Sequence, residues 1–117
     1  MNPFTGHPFF NECVFVVDTR DEGGAPTRTL LTADVFWNYP ARGQPGESLM
    51  SARDRLWRAG MNRLYGLFYR RFMVGEERRA LLEECVDACG EIDAVVPCHG
   101  RCVGARAGGR LRAHLGL

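Results

Sequence analysis

Two short apolar runs in this chain each end on a side chain that can bind a metal or move a proton. The first, TLLTADVFWNYP (Thr29 to Pro40), breaks on the carboxylate of Asp34; the second, AVVPCHG (Ala94 to Gly100), ends in a turn carrying the imidazole of His99. A carboxylate just past a buried strand and followed by Val35, Phe36 and Trp37 needs a cation or several hydrogen-bond donors. Metal ligation and capping of a turn through backbone N–H groups both meet that need. His99, beside a glycine that permits close backbone approach, suits a ligand, a catalytic histidine or a hydrogen-bonded structural one.

The other candidates are weaker. Cys98 and Cys102 flank the imidazole as C-H-x-x-C, which invites zinc, but a structural zinc site needs about four ligands and the paired Cys-x2-Cys spacing is missing. Cys85 and Cys89, four apart on a helix, read as small core residues, as does Cys13 within its strand. His7 precedes the first strand and could reach the same rim, whereas His114 on the tail reads as a solvated surface residue. There is no Gly-x-Ser-x-Gly, no phosphate-cradling glycine loop and no His-Glu-x-x-His.

The elements that must position Asp34 and His99 follow from pattern. Met1 to Glu12 reads as an extended lead-in that packs its phenylalanine rings without regular structure. Cys13 to Asp18 (CVFVVD) reads as a buried strand and Arg28 to Ala33 as the next, pairing as an antiparallel hairpin across DEGGAPT. After the loop ARGQPGES, Ser48 or Ser51 caps a helix over Ala52 to Ala59 that Gly60 interrupts or ends. Met61, Leu64, Tyr65, Phe68 and Phe72 then form an apolar stripe on a second helix, closed by Gly75, and Glu76 to Cys89 form a third, stopped by Gly90. Ile92 to Val96 reads as a third strand ended by Pro97, and Gly104 to Leu117 as a weak terminal helix. The order is strand, strand, three helices, strand, helix: an α+β arrangement. Helices on one face of so thin a sheet leave the other face needing a cover.

The 117 residues, 45% hydrophobic and 25% charged, fit a single domain, 1–117. A net charge of +1 with interspersed acids and bases gives no case for nucleic acid or an acidic membrane as partner. No lysine occurs, so every basic side chain apart from the histidines is arginine. Five cysteines, an odd count, without a signal peptide imply reduced thiols in an intracellular, by default cytoplasmic, compartment, although a missing amino terminus could carry an organelle address. No run approaches the roughly 20 apolar residues of a membrane span.

The segments NECVFVV, RTLLTADVFWNYP, WRAGMNRLYGLFYRRFM and VPCHG occur in this order across nearly the whole chain. In that order they resemble the carboxy-terminal half of the metallo-β-lactamase-like superfamily, and within it a metallo-hydrolase/oxidoreductase branch carrying a domain of unknown function. The resemblance implies part of an αββα sandwich and a one- or two-metal centre, usually zinc and sometimes iron, that activates water for attack on an ester, amide or phosphoester. It implies that Asp34 corresponds to an aspartate able to bridge two metals and His99 to the last histidine ligand. The superfamily's His-x-His-x-Asp-His has no match here, so the ligand set is incomplete and the chain alone is expected to catalyse little or nothing. A second chain, a missing amino-terminal half or a homo-oligomer would then cover the exposed sheet. The alternatives are a non-catalytic binding module that keeps the scaffold, and a redox sensor using Cys98 and Cys102.

Overall fold

The computed structural model describes residues 12–39 and 51–117. In order these form β1 (Phe15–Arg20), β2 (Pro26–Asn38), α1 (Ala52–Phe68), a π-helical turn (Tyr69–Val74), a 3-10 turn (Glu76–Arg78), α2 (Arg79–Ala88), β3 (Ala94–Gly100) and α3 (Ala107–Leu115). The fold is a small α+β domain: a three-stranded mixed sheet of order β1-β2-β3 with three α-helices. The expected lead-in conformation, the loop before Ser51, a cap at Ser48 and His7 lie outside the described residues.

The hairpin forms as the sequence implies, with β1 antiparallel to β2 from Phe15 opposite Leu31 to Arg20 opposite Pro26. Its turn is closed by Asp21, whose backbone and side chain both bond to Ala25, with Gly24 at a φ of 83°. Two expectations for these strands change. β1 begins at Phe15 and all six of its residues are exposed, so it is an edge strand and Cys13 stands before it, exposed. β2 does not stop at Ala33 but continues through Asp34 to Asn38, because Val35, Phe36 and Trp37 extend the β-branched and aromatic run.

β3 pairs parallel to β2 and runs straight through Pro97, so His99 lies on a strand and not on a turn. A proline is tolerated there because β3 is the other edge of the sheet, where a missing N–H costs no ladder bond. Beyond it, Val95 and Val103 exchange both backbone hydrogen bonds at 2.8 Å and close the edge with a short antiparallel bridge.

Ser51 caps α1, its hydroxyl accepting the Asp54 N–H at 3.1 Å and donating to the Asp54 carboxylate at 2.7 Å. The two helices expected on either side of Gly60 are one: a single interior glycine costs about 1 kcal/mol, less than tertiary packing returns. The buried face of that helix is also not the expected stripe. Gly66, Tyr69 and Val74 are buried and Tyr65 and Met61 half-buried, while Leu64, Phe68 and Phe72 are 50–65% exposed. Gly66 sets this rotation, because α3 crosses so closely that a Cβ there would lie 1.7 Å from the carbonyl oxygen of His114. Gly75, at a φ of 89°, ends the π turn with its N–H donating to the Arg70 carbonyl. Gly90, at 71°, stops α2 as expected.

The core joins one face of the sheet (Leu30, Val95) to Tyr69, Leu82, Val86, Leu111 and Leu115 from the helices. On the opposite face Phe15 and Leu31, paired in register, stay 61% and 37% exposed. Among the described residues no helix is long and apolar enough to cross a membrane.

The Gly66 contact yields a direct test. Gly66→Ala must separate α1 from α3, and overpacking of this kind typically costs 1–3 kcal/mol; urea unfolding should show a loss at the upper end, about 3 kcal/mol, whereas Gly60→Ala, with open space around it, should be neutral or mildly stabilising.

Candidate metal-ligand rim

Parallel pairing sends the carboxyl ends of β2 and β3 to the same edge of the sheet, and there Asp34 and His99 meet. His99 Nε2 lies 2.9 Å from Asp34 Oδ1 across 65 residues of sequence, with about a third of each side chain exposed. The imidazole is stacked on the Trp37 ring at 4.0 Å and 28°, and Trp37 is also its register partner on β2. Both residues that the sequence singled out are therefore brought together at a solvent-accessible rim.

A register break makes this possible. From Thr32 opposite Pro97 to Trp37 opposite His99, β2 advances five residues while β3 advances two. Such a bulge re-aims side chains and leaves backbone groups off the ladder. The carboxylate of Glu12 satisfies them: it accepts the Ala33 N–H at 2.8 Å and the Asp34 N–H at 2.9 Å, one on each oxygen. Glu12 is 2% exposed, and burial pushes its pKa up, opposed by these two N–H donors and reinforced by the neighbouring Asp34 charge. Sequence reasoning missed this residue by placing it at the end of an irregular lead-in. The available signal was an acid standing just before a strand-forming run, which burial turns into a backbone clamp.

The far end of the rim is pinned by main-chain geometry. Gly100, at a φ of 97°, passes so close to β2 that a Cβ would lie 2.1 Å from the Asn38 carbonyl oxygen. The Arg101 N–H donates to that oxygen at 2.7 Å, and the Asn38 amide donates to the Arg101 carbonyl at 2.7 Å. From the helical side, Asn62 of α1 accepts the Tyr39 N–H at 2.7 Å and donates to the Tyr39 carbonyl at 2.8 Å, as a neighbouring strand would.

His114 is not the surface residue its tail position implied. It faces inward on α3, edge-on to Phe36 at 4.9 Å, with Nε2 3.4 Å from the Trp37 N–H, and burial pulls its pKa down to about 4. Cys98 and Cys102 are exposed, and Cys98 lines the bare sheet face with Cys13 and Leu31. Cys85 and Cys89 are half-buried on α2. Among the described residues no three histidine, cysteine or acidic side chains cluster as a metal site, so Asp34 and His99 stand as a pair.

Burial also drives the Tyr65 pKa up to about 12, with the Asp34 and Glu12 charges adding to the rise. Two acidic side chains, Asp34 and Glu12, thus lie near enough to the Tyr65 hydroxyl to add to the cost of ionising it.

Two measurements follow. His114 binds no proton in the folded state until well below 6.5, so the unfolded chain gains protons first: stability is full above 6.5 and falls as pH drops towards 4, by about 3 kcal/mol. His114→Phe should flatten that acid limb in thermal melts. Glu12 has the opposite sign, its contribution being present below 4.5 and lost as pH rises through its raised pKa. Glu12→Gln keeps one acceptor but turns an N–H donor towards a backbone N–H, and should cost about 1–3 kcal/mol at neutral pH. It should also broaden the His99 ring resonances as Asp34 loses its anchor.

Compared with known proteins, the chain matches no family model, no curated protein and no solved structure.

Proposed function

We propose that Asp34 and His99 are two ligands of a divalent metal, zinc by donor type with iron as the alternative, at the rim of a metallo-hydrolase-like domain. On this reading the chain corresponds to the carboxy-terminal half of a metallo-β-lactamase-like sandwich. The observation that carries it is the convergence of Asp34 Oδ1, in the register break of β2, and His99 Nε2, near the carboxyl end of β3, to 2.9 Å in the carboxyl-terminal parts of two parallel strands. Ligand sites in open sheets gather at such ends. An imidazole nitrogen and a carboxylate oxygen, both partly exposed, are a suitable pair of zinc donors.

The fit is partial. A catalytic zinc is usually held by three protein ligands with one open position, and the described residues supply two. The remainder would come from outside them or from a second chain. The bare sheet face around Phe15 and Leu31 offers such a chain, or a second copy, a place to pack. When bound, a zinc ion supplies Lewis acidity for hydrolysis of an ester, amide or phosphoester. The residues present here would do the holding: Asp34 and His99 as ligands, with Trp37 fixing the plane of the His99 ring and Glu12 the backbone of Asp34.

The chain as purified should therefore carry well under one equivalent of zinc or iron, bind added zinc weakly, and shift the His99 ring resonances as it does. Asp34→Ala and His99→Ala should each abolish that shift. Tightly held stoichiometric metal, or zinc binding that survives both substitutions, would overturn the two-ligand account.

One observation favours a second reading, a non-catalytic binding module. The hydrogen bond to Asp34 and the stack on Trp37 together make His99 a clasp between the ends of β2 and β3. In that case Asp34→Ala lowers the melting temperature, and millimolar zinc leaves the His99 resonances where they were.

A further inference from the structure

The near-zero net charge of the chain hides a strong segregation. From Ala52 to Val74 there are six arginines and one aspartate, whereas Glu76 to Asp93 carries seven acids and two arginines. The basic segment is α1 and the π turn, the same element that turns an apolar side outward. Leu56, Trp57, Leu64, Phe68 and Phe72 are each at least half exposed, from 50% to 76%. At 100° per residue Trp57, Leu64 and Phe68 lie opposite Gly66 and Tyr69, which face the core, with Leu56 on the flank of that arc and Phe72 on the π turn beyond it. Arg53 and Arg71 are exposed on the same side, whereas Arg63 lies on the flank towards α3, beside Asn62 and His114. Trp57, Met61, Leu64, Tyr65 and Phe68 line a shallow apolar trough there.

The charge decides what this surface fits. Two copies meeting face to face would bring arginine against arginine, so a second copy is disfavoured. A nucleic acid would meet the guanidinium groups but leave Leu64 and Phe72 without apolar partners. An element with outward Leu, Trp and Phe among basic side chains matches a lipid headgroup boundary: the apolar groups enter the acyl region while the arginines stay at phosphate level. Guanidinium groups bind phosphate oxygens in pairs, which suits an all-arginine surface.

We propose that the outward face of α1 and the π turn is a peripheral docking surface for an anionic phospholipid bilayer, with Leu64, Phe68 and Phe72 inserted and Arg53 and Arg71 on the lipid phosphates. It is independent of metal binding at the rim. The docking is reversible and lies in the interface plane, since no described helix can span the bilayer.

Vesicle flotation of the whole chain tests this. The protein should float with vesicles of phosphatidylcholine and phosphatidylglycerol but not with phosphatidylcholine alone, and should be released when ionic strength rises from about 0.1 M to about 1 M, as the screening length shrinks from about 10 Å to about 3 Å. Arg53→Gln and Arg71→Gln should each weaken partitioning about fivefold. Leu64→Gln with Phe72→Gln should abolish it, and because both residues are more than 60% exposed the melting temperature should hold. Failure to float with anionic vesicles, or flotation undiminished by Leu64→Gln with Phe72→Gln, overturns the proposal. So does a dimer in solution that those substitutions dissolve. If a designed Glu/Leu amphipathic peptide forms a saturable complex while vesicles do not bind, the surface takes an acidic protein helix and the bilayer reading is wrong.

Discussion

The constraint on which the structure turns is that β2 runs on for thirteen residues although β1 pairs only its first part, Pro26 to Leu31, and its ladder to β3 loses register between Thr32 and Trp37. Buried amides cannot be left unpaired there; each would cost about 1–3 kcal/mol. The carboxylate of Glu12 takes two of them, and so acts as a short piece of a neighbouring strand. Because the break is held open instead of slipping shut, Asp34 can turn towards His99. Slippage by one residue would send the whole alternating set, Leu30 and Thr32 included, to the wrong face.

The same arrangement explains why ionisable groups of one kind behave differently a few ångströms apart. Glu12 is enclosed and committed to backbone donors, so burial raises its pKa; Asp34 is a third exposed and faces an imidazole. The two histidines divide in the same way. His114, between Phe36 and the Trp37 amide, is kept neutral by burial, whereas His99 is partly open and paired with a carboxylate. The inner member of each pair builds the rim and the outer one faces solvent. A cation placed there would lower the electrostatic cost of the two carboxylates, Asp34 and Glu12.

What the sequence revealed depended on whether local chemistry or tertiary contact decided the outcome. Asp34 and His99 were legible because each follows an apolar run where strand ends are expected, and the hairpin was legible from its glycine and proline punctuation. Glu12 was not, because nothing local separates a buried clamp from a solvated acid before a strand. The period of α1 was correct but its phase was not: an element apolar on nearly all sides leaves the choice of buried face to the partner, and the closest approach, at Gly66, made that choice. His114 was misplaced for the same reason, since its carbonyl and ring meet Gly66. Pro97 misled because its effect depends on edge or centre, which only the sheet order reveals.

The rotation of α1 also ties its outer face to the Asp34–His99 rim. Asn62 bonds both backbone groups of Tyr39, and a chain of rings runs from Trp57 to Tyr39 at 5.3 Å, to Trp37 at 5.6 Å and to His99 at 4.0 Å. Arg58 sits 5.7 Å from the Tyr39 ring and closes the same stack from the helix side. Aromatic pairs at such separations are worth about 0.5–1.5 kcal/mol each beyond the area they bury, and their planes resist independent rotation. The helix that presents Leu64 and Phe72 outward is thus tied by its inner side to the strand end that carries the Asp34–His99 rim. A body docked on the outer face of α1, as proposed, would therefore be held to the same rigid unit as the Asp34–His99 pair without touching it.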